Sequence, residues 1–195
     1  MQPSVKRKTL TISPWMYAAA MVVIVFFCGM IAFQSGKRVL QNQLTQITVE
    51  APYGSKTKLY LPDGTLVWLN AGSKMSYAQD FGINERSLNL SGEAYFEVAK
   101  DKDKPFIVKT KEQSIEALGT KFNVSAYPTD SLLTTTLLEG SVLLTTQNLL
   151  HPTVLKPNEQ FVYNKRTRSA LLQQVDANRF VSWTTGYYYF PEQSL

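Results

Sequence analysis

Side chains that commonly do chemistry are scarce in this sequence. His151 is its single histidine and Cys28 its single cysteine. One of each supplies neither a Cys/His zinc site of the usual kind nor an internal disulfide. There is no G-x-S-x-G elbow, phosphate loop or H-E-x-x-H helix. The nearest thing to a paired-carboxylate site is Glu93 with Glu97. Two carboxylates act on a glycosidic bond when they stand roughly 5–9.5 Å apart. Residues four apart on a strand are about 13 Å apart, so this pair reads as the wet face of an amphipathic strand. Asp63 lies in a Pro62-Asp63-Gly64 turn, where its carboxylate can bond backbone N–H groups. His151, among Leu149, Leu150 and Pro152, reads as a surface or edge residue. No catalytic, metal-ligating or cofactor-binding set emerges, and the predicted role is not enzymatic.

The elements that carry these residues are strands. From Ser87 onward, Leu88, Leu90, Ala94, Phe96 and Val98 fall on one parity. Period two means one face buried and one face wet. Lys100 to Lys104 is too polar to bury and ends at Pro105, which predicts a turn. Phe106 to Val108 starts the next strand. After a second polar gap, Leu118-Gly119-Thr120 opens a third, with Phe122 and Val124 facing one way. Upstream, Lys58–Leu61 and Leu66–Leu69 flank the Pro-Asp-Gly turn, and Ser76–Ala78 is short and extended. Downstream, Phe161–Tyr163 is predicted as the last ladder strand, with Leu171–Val175 as a short edge strand.

Glycines recur ahead of strands. Gly64, Gly92, Gly119 and Gly140 precede T-L-V-W-L, E-A-Y-F-E-V, T-K-F-N-V and S-V-L-L-T-T. A turn-then-strand unit repeating at this spacing suits a coiled, β-helix-like stack, in which each unit needs the next to bury its apolar face. A β-sandwich is the alternative, because it too alternates short strands with turns.

Several of these segments together resemble the periplasmic domain of the FecR family of membrane-bound sigma-factor regulators. They are L-P-D-G-T-x-V-W-L-N-A-G-S (Leu61 to Ser73), L-x-G-E-A-Y-F-E-V (Leu90 to Val98), K-P-F-x-V (Lys104 to Val108), L-G-T-x-F-N-V (Leu118 to Val124) and L-x-E-G-S-V (Leu137 to Val142). The similarity is ordered and runs from about Ile47 to Tyr163. It singles out Pro62, Asp63, Gly64, Gly92, Phe96, Pro105, Phe106, Gly119, Thr120, Phe122 and Gly140 as structural motif positions.

Composition bounds the rest. The 195 residues, 44% apolar and 12% aromatic, can build one main domain with a core. A net charge of +5 is scattered through turns, which reads as a solvated surface rather than a nucleic-acid interface. Trp15 to Phe33 is nineteen positions without a charge. As a helix it spans about 28 Å, close to the roughly 30 Å hydrocarbon core of a bilayer. It is longer than a signal-peptide apolar region, and Ala32-Phe33-Gln34 is a poor cleavage site. Lys6, Arg7 and Lys8 precede it, against Lys37 and Arg38 after it, which places the N-terminus inside.

The expected organisation is a short cytoplasmic tail (1–14), a single transmembrane helix (15–33), a linker (34–46), a FecR-like all-β periplasmic domain (47–175) and a connector toward a C-terminal domain (176–195). The fold class is mainly β. In the connector, Trp183, Tyr187, Tyr188, Tyr189 and Phe190 are expected to form an exposed partner surface. The resemblance implies an inner-membrane protein with no cofactor. Its implied partners are an extracytoplasmic-function sigma factor and the signalling domain of an outer-membrane TonB-dependent receptor. Met1 to Pro14 carries Val5, Leu10 and Ile12 as its only sizeable aliphatic side chains beyond Met1. It is not expected to hold a sigma factor alone. The alternative is an anchored periplasmic β-domain with a scaffolding or adhesive role and no sigma partner.

Overall fold

The structure is a computed structural model and describes Trp15, Met21 and residues 23–31, 46–147 and 149–186. The chain divides into two compact units, Met1–Leu44 and Thr45–Leu195. In the first unit the described residues are helical, and Val23, Phe26, Phe27 and Ile31 are all exposed. Among the described residues no helix is long and apolar enough to cross a membrane. The rest of the predicted span, residues 16–20, 22, 32 and 33, lies outside the described residues, as does the tail.

The second unit is mainly β, as expected. Its strands are β1 (Gln46–Glu50), β2 (Thr57–Tyr60), β3 (Leu66–Leu69), β4 (Lys74–Ala78), β5 (Arg86–Glu97), β6 (Phe106–Lys109) and β7 (Gln113–Ala117). They continue with β8 (Lys121–Ala126), β9 (Leu132–Glu139), β10 (Val142–Thr146), β11 (Thr153–Leu155), β12 (Glu159–Asn164) and β13 (Ser169–Gln174). A 3-10 helix, η1 (Ala177–Thr185), follows.

The strands make one continuous sheet curled on itself, with β5 shared between two wings. The first wing runs β1-β4-β5-β6-β7-β10-β11 and uses Arg86 to Ser91 of β5. The second runs β2-β3-β5-β8-β9-β12-β13 and uses Gly92 to Glu97. The strand folds back where the wings meet. The Arg86 guanidinium reaches the Ala99 carbonyl at 2.9 Å, whereas thirteen residues of straight strand would separate them by about 40 Å. Gly92 is the bend. Its φ is +108°, and a Cβ there would meet Ser73 Cα at 2.7 Å, so only glycine fits.

Folding back brings the two inner faces together. Leu88, Leu90, Ala94, Phe96 and Val98, the predicted inward parity, are all buried. Around them pack Phe106, Val108 and Ile115 from the first wing, and Val67, Phe122, Leu137 and Phe161 from the second. Thr135 Oγ1 donates to Gln113 Oε1 at 2.8 Å, joining the wings through the interior.

This corrects the coiled stack. Successive turns of a β-helix pair in parallel, but among the described residues only β5 with β6 does; every other pairing there is antiparallel. Six of the pairings join strands that follow one another in the chain through a turn, and a hairpin of that kind is antiparallel. The four glycines of the apparent repeat do share positive φ, so the repeat is one of turns and not of stacked coils. The second polar gap is also corrected, since Gln113–Ala117 is β7 with Gln113, Ile115 and Ala117 buried. Gln113 is buried because Thr135 and Thr146 satisfy its amide.

Candidate functional site

Two polar clusters and one covered face organise the β unit. The first cluster joins the turn before β3 to the start of β5. Asp63 accepts the Thr65 N–H at 2.9 Å and the Thr65 hydroxyl at 2.8 Å, as its Pro-Asp-Gly setting predicts. Its Oδ2 also lies 3.2 Å from Arg86 Nη1, with both side chains almost wholly buried. Arg86 spends its remaining donors on backbone. Nε donates to Lys104 O at 2.9 Å, Nη1 to Ala99 O at 2.9 Å and Nη2 to Asp101 O at 3.3 Å, with a further bond from Nη2 to Lys104 O. One guanidinium thus closes the predicted Lys100–Lys104 turn over the end of the sheet. The Asp101 carboxyl is held below its ordinary range, first by the N–H groups of Asp103 and Lys104. Arg86 was not among the residues expected to matter: a cation opening an alternating segment reads as solvated.

The second cluster centres on Glu93. Its carboxylate accepts Asn70 Nδ2 at 2.7 Å and Asn123 Nδ2 at 2.8 Å. Burial pushes its pKa above the ordinary 4.5; the two amide bonds oppose this and Asp130 adds to it. Glu93 and Tyr95 are therefore not on a wet face, which corrects the sequence reading. Tyr95 is 7% exposed, and its row neighbours Asn123, Thr136 and Gln160 are 2%, 1% and 3% exposed. On this side of the sheet η1 packs on β9. Lys56, just ahead of β2, donates its ammonium to the Trp183 carbonyl, and Asn158 Oδ1 accepts the Ala177 N–H. The helix therefore lies across the outer face of the second wing. Trp183 is 5% exposed. It belongs to this cover and not to an exposed partner surface, the second correction. Tyr187, Tyr188, Tyr189 and Phe190 lie outside the described residues.

Raised carboxyl pKa values have a testable sign. Between pH 4.5 and the folded-state value, the unfolded chain releases the Glu93 proton more readily than the folded one. Stability contributed by neutral Glu93 is thus complete below that window and is lost as pH rises through it. We expect Glu93→Gln to flatten this fall, so that thermal midpoints of variant and parent converge toward acid and separate in the variant's favour toward neutral pH. A constant difference across a pH series would mean that Glu93 is not the titrating group.

The motif positions converge on the core and its turns. Phe96, Phe106 and Phe122 are wholly buried, Thr120 is 5% exposed, and Pro62 and Pro105 cover turns at the surface. His151 is exposed, as expected. An open cleft of about 510 Å³ lies between the Pro52-Tyr53 and Tyr127–Thr129 loops, with Ser73 in its wall. Among the described residues no group of His, Cys, Asp and Glu could hold a metal ion.

Comparison with known proteins agrees with this architecture. The FecR protein family matches residues 47–143. Two crystal structures of a proposed anti-sigma factor from Parabacteroides distasonis ATCC 8503, at 2.50 and 1.65 Å resolution, are similar to this chain at 35% identity and TM-score 0.71. The matches cover 75% and 74% of this chain and 68% of that protein. No protein of curated function matches.

Proposed function

Because the chain belongs to the FecR family, we propose that it is a membrane-anchored anti-sigma regulator, acting by binding and not by catalysis. The observation that carries this reading is the 35% identity and shared fold with a proposed anti-sigma factor, with the ordered motifs falling on the core and turns of that fold. The finer parts rest on the sequence. The partner is an extracytoplasmic-function sigma factor, and the signal arrives from the signalling domain of an outer-membrane TonB-dependent receptor that meets the β unit. The uncharged run Trp15 to Phe33 anchors the chain once in the inner membrane, N-terminus in the cytoplasm and β unit in the periplasm. The exposed apolar side chains of the helical residues 23–31 support that placement.

The test is genetic. Deleting the gene should raise transcription from the promoters of one extracytoplasmic-function sigma factor several-fold and abolish the response of those promoters to the receptor's ligand. RNA sequencing that finds every such regulon unchanged would sink the proposal. In the same cells, a reporter active only outside the cytoplasm, fused after Tyr163, should be active.

A further inference from the structure

An edge strand presents a row of unpaired N–H and C=O groups that can template another strand, and proteins usually guard such edges. The two wings have four edges: β1 and β11 in one, β2 and β13 in the other. Three are guarded. β1 ends in Glu50, β2 holds Lys58, and β11 is three residues long between Pro152 and Pro157. The fourth is not. β13 reads S-A-L-L-Q-Q, without charge or proline, and all six of its residues are exposed. Leu171 and Leu172 are 58% and 46% exposed.

The ladder says which groups are free. Val175 N–H donates to Asn158 O at 2.8 Å, and hydrogen-bonded pairs alternate along an antiparallel ladder. With Gln160 opposite Gln173 and Val162 opposite Leu171, residues 171 and 173 turn their backbone groups to β12. Ala170, Leu172 and Gln174 turn theirs outward.

We propose that this edge pairs antiparallel with β13 of a second copy of the chain, with the two-fold axis at Leu172. That register sets Leu172 against Leu172 of the other copy and Ala170 against Gln174, using every outward group of the strand. It also brings Arg168, in the turn ahead of each strand, toward Asp176, just past the end of the other, twice over by symmetry. Arg168 is exposed, and Asp176, paired with Arg179 at 3.2 Å, keeps half its side-chain surface open. Leu172 lies opposite the buried Phe161 in the β12 ladder, so pairing continues that apolar row across the axis. Any other shift of register leaves outward groups unpaired and separates the opposite charges.

Cross-linking of the full 195-residue chain in membranes tests this, in a Cys28→Ser background. Paired Cα atoms at a hydrogen-bonded site are about 5.5 Å apart, within the roughly 4.4–6.8 Å that a disulfide spans. Leu172→Cys should therefore give a covalent dimer on oxidation with copper phenanthroline. Ala170→Cys alone should not, its two copies being on the order of 14 Å apart, whereas Ala170→Cys mixed with Gln174→Cys should. Arg168→Glu should reduce the Leu172→Cys dimer several-fold, and adding Asp176→Arg should restore it. Leu172→Pro removes only an outward N–H and should leave the chain folded and monomeric by sedimentation in detergent. Absence of the Leu172→Cys and mixed-pair dimers would overturn the proposal. So would cross-linking of Leu172→Cys to a different protein in place of itself.

Discussion

Replacing Arg86 with methionine should destabilise the β unit by about 3–5 kcal/mol, the usual consequence of removing one partner from a buried ion pair. Methionine keeps much of the stem volume, so the loss is electrostatic and not a cavity. It leaves Asp63, 7% exposed, without its cation. It also leaves the carbonyls of Ala99, Asp101 and Lys104 without their donor. Against a typical total of about 5–15 kcal/mol, that is enough to shift a urea midpoint substantially, read by tryptophan fluorescence. Arg86→Lys should recover little, because one ammonium cannot reproduce a planar fork bonded to several acceptors. Adding Asp63→Asn to Arg86→Met should give back part of the loss, since the stranded charge is then gone. A loss below about 1 kcal/mol for Arg86→Met, in the range of exposed pairs, would show that the turn is not closed by this residue.

The second large effect is at the seam between the wings. Phe96 stacks on Phe122 with centroids 5.1 Å apart and meets Phe106 edge-on at 5.8 Å. Phe106 in turn meets Phe81 at 6.1 Å, and Phe81 meets Tyr77 at 5.3 Å. This file of rings crosses from one wing to the other, and Phe96 is its wholly buried centre. Phe96→Ala should cost about 3–5 kcal/mol. Glu97→Ala, one residue on and facing outward, removes a hydrogen bond to Tyr95 and should cost only about 1 kcal/mol. Thermal melts of the two variants side by side decide the matter; equal losses would mean that the inner and outer faces of β5 are misassigned.

The contrast between Phe96 and Glu97 was legible beforehand, because side-chain period on a strand is a local property of the backbone. Alternation from Leu88 to Val98 named the inward residues without any knowledge of what they would meet. The Pro62-Asp63-Gly64 turn was equally legible, as were β13 near Leu171 and the exposed place of His151, since turn chemistry and breakers act over a few residues. The strand at Gln113–Ala117 was not, because a buried glutamine breaks the apolar pattern unless partners from two other strands are known.

By itself, then, the sequence determined which residues face inward, where the chain turns, and the ordered motifs that place it in its family. The tertiary structure alone decided how the strands are arranged: a fold-back at Gly92 makes two facing wings of what reads equally well as stacked coils, because the same short strands and turns serve both. It decided that Arg86 is an interior residue, which depends on carbonyls brought to it by the fold-back. It decided that Glu93 is bonded by Asn70 and Asn123, that Tyr95 is buried and that Trp183 packs inward. Whether the second face of a strand is wet depends on what segment, distant in the chain, comes to lie on it, and periodicity carries no information about that.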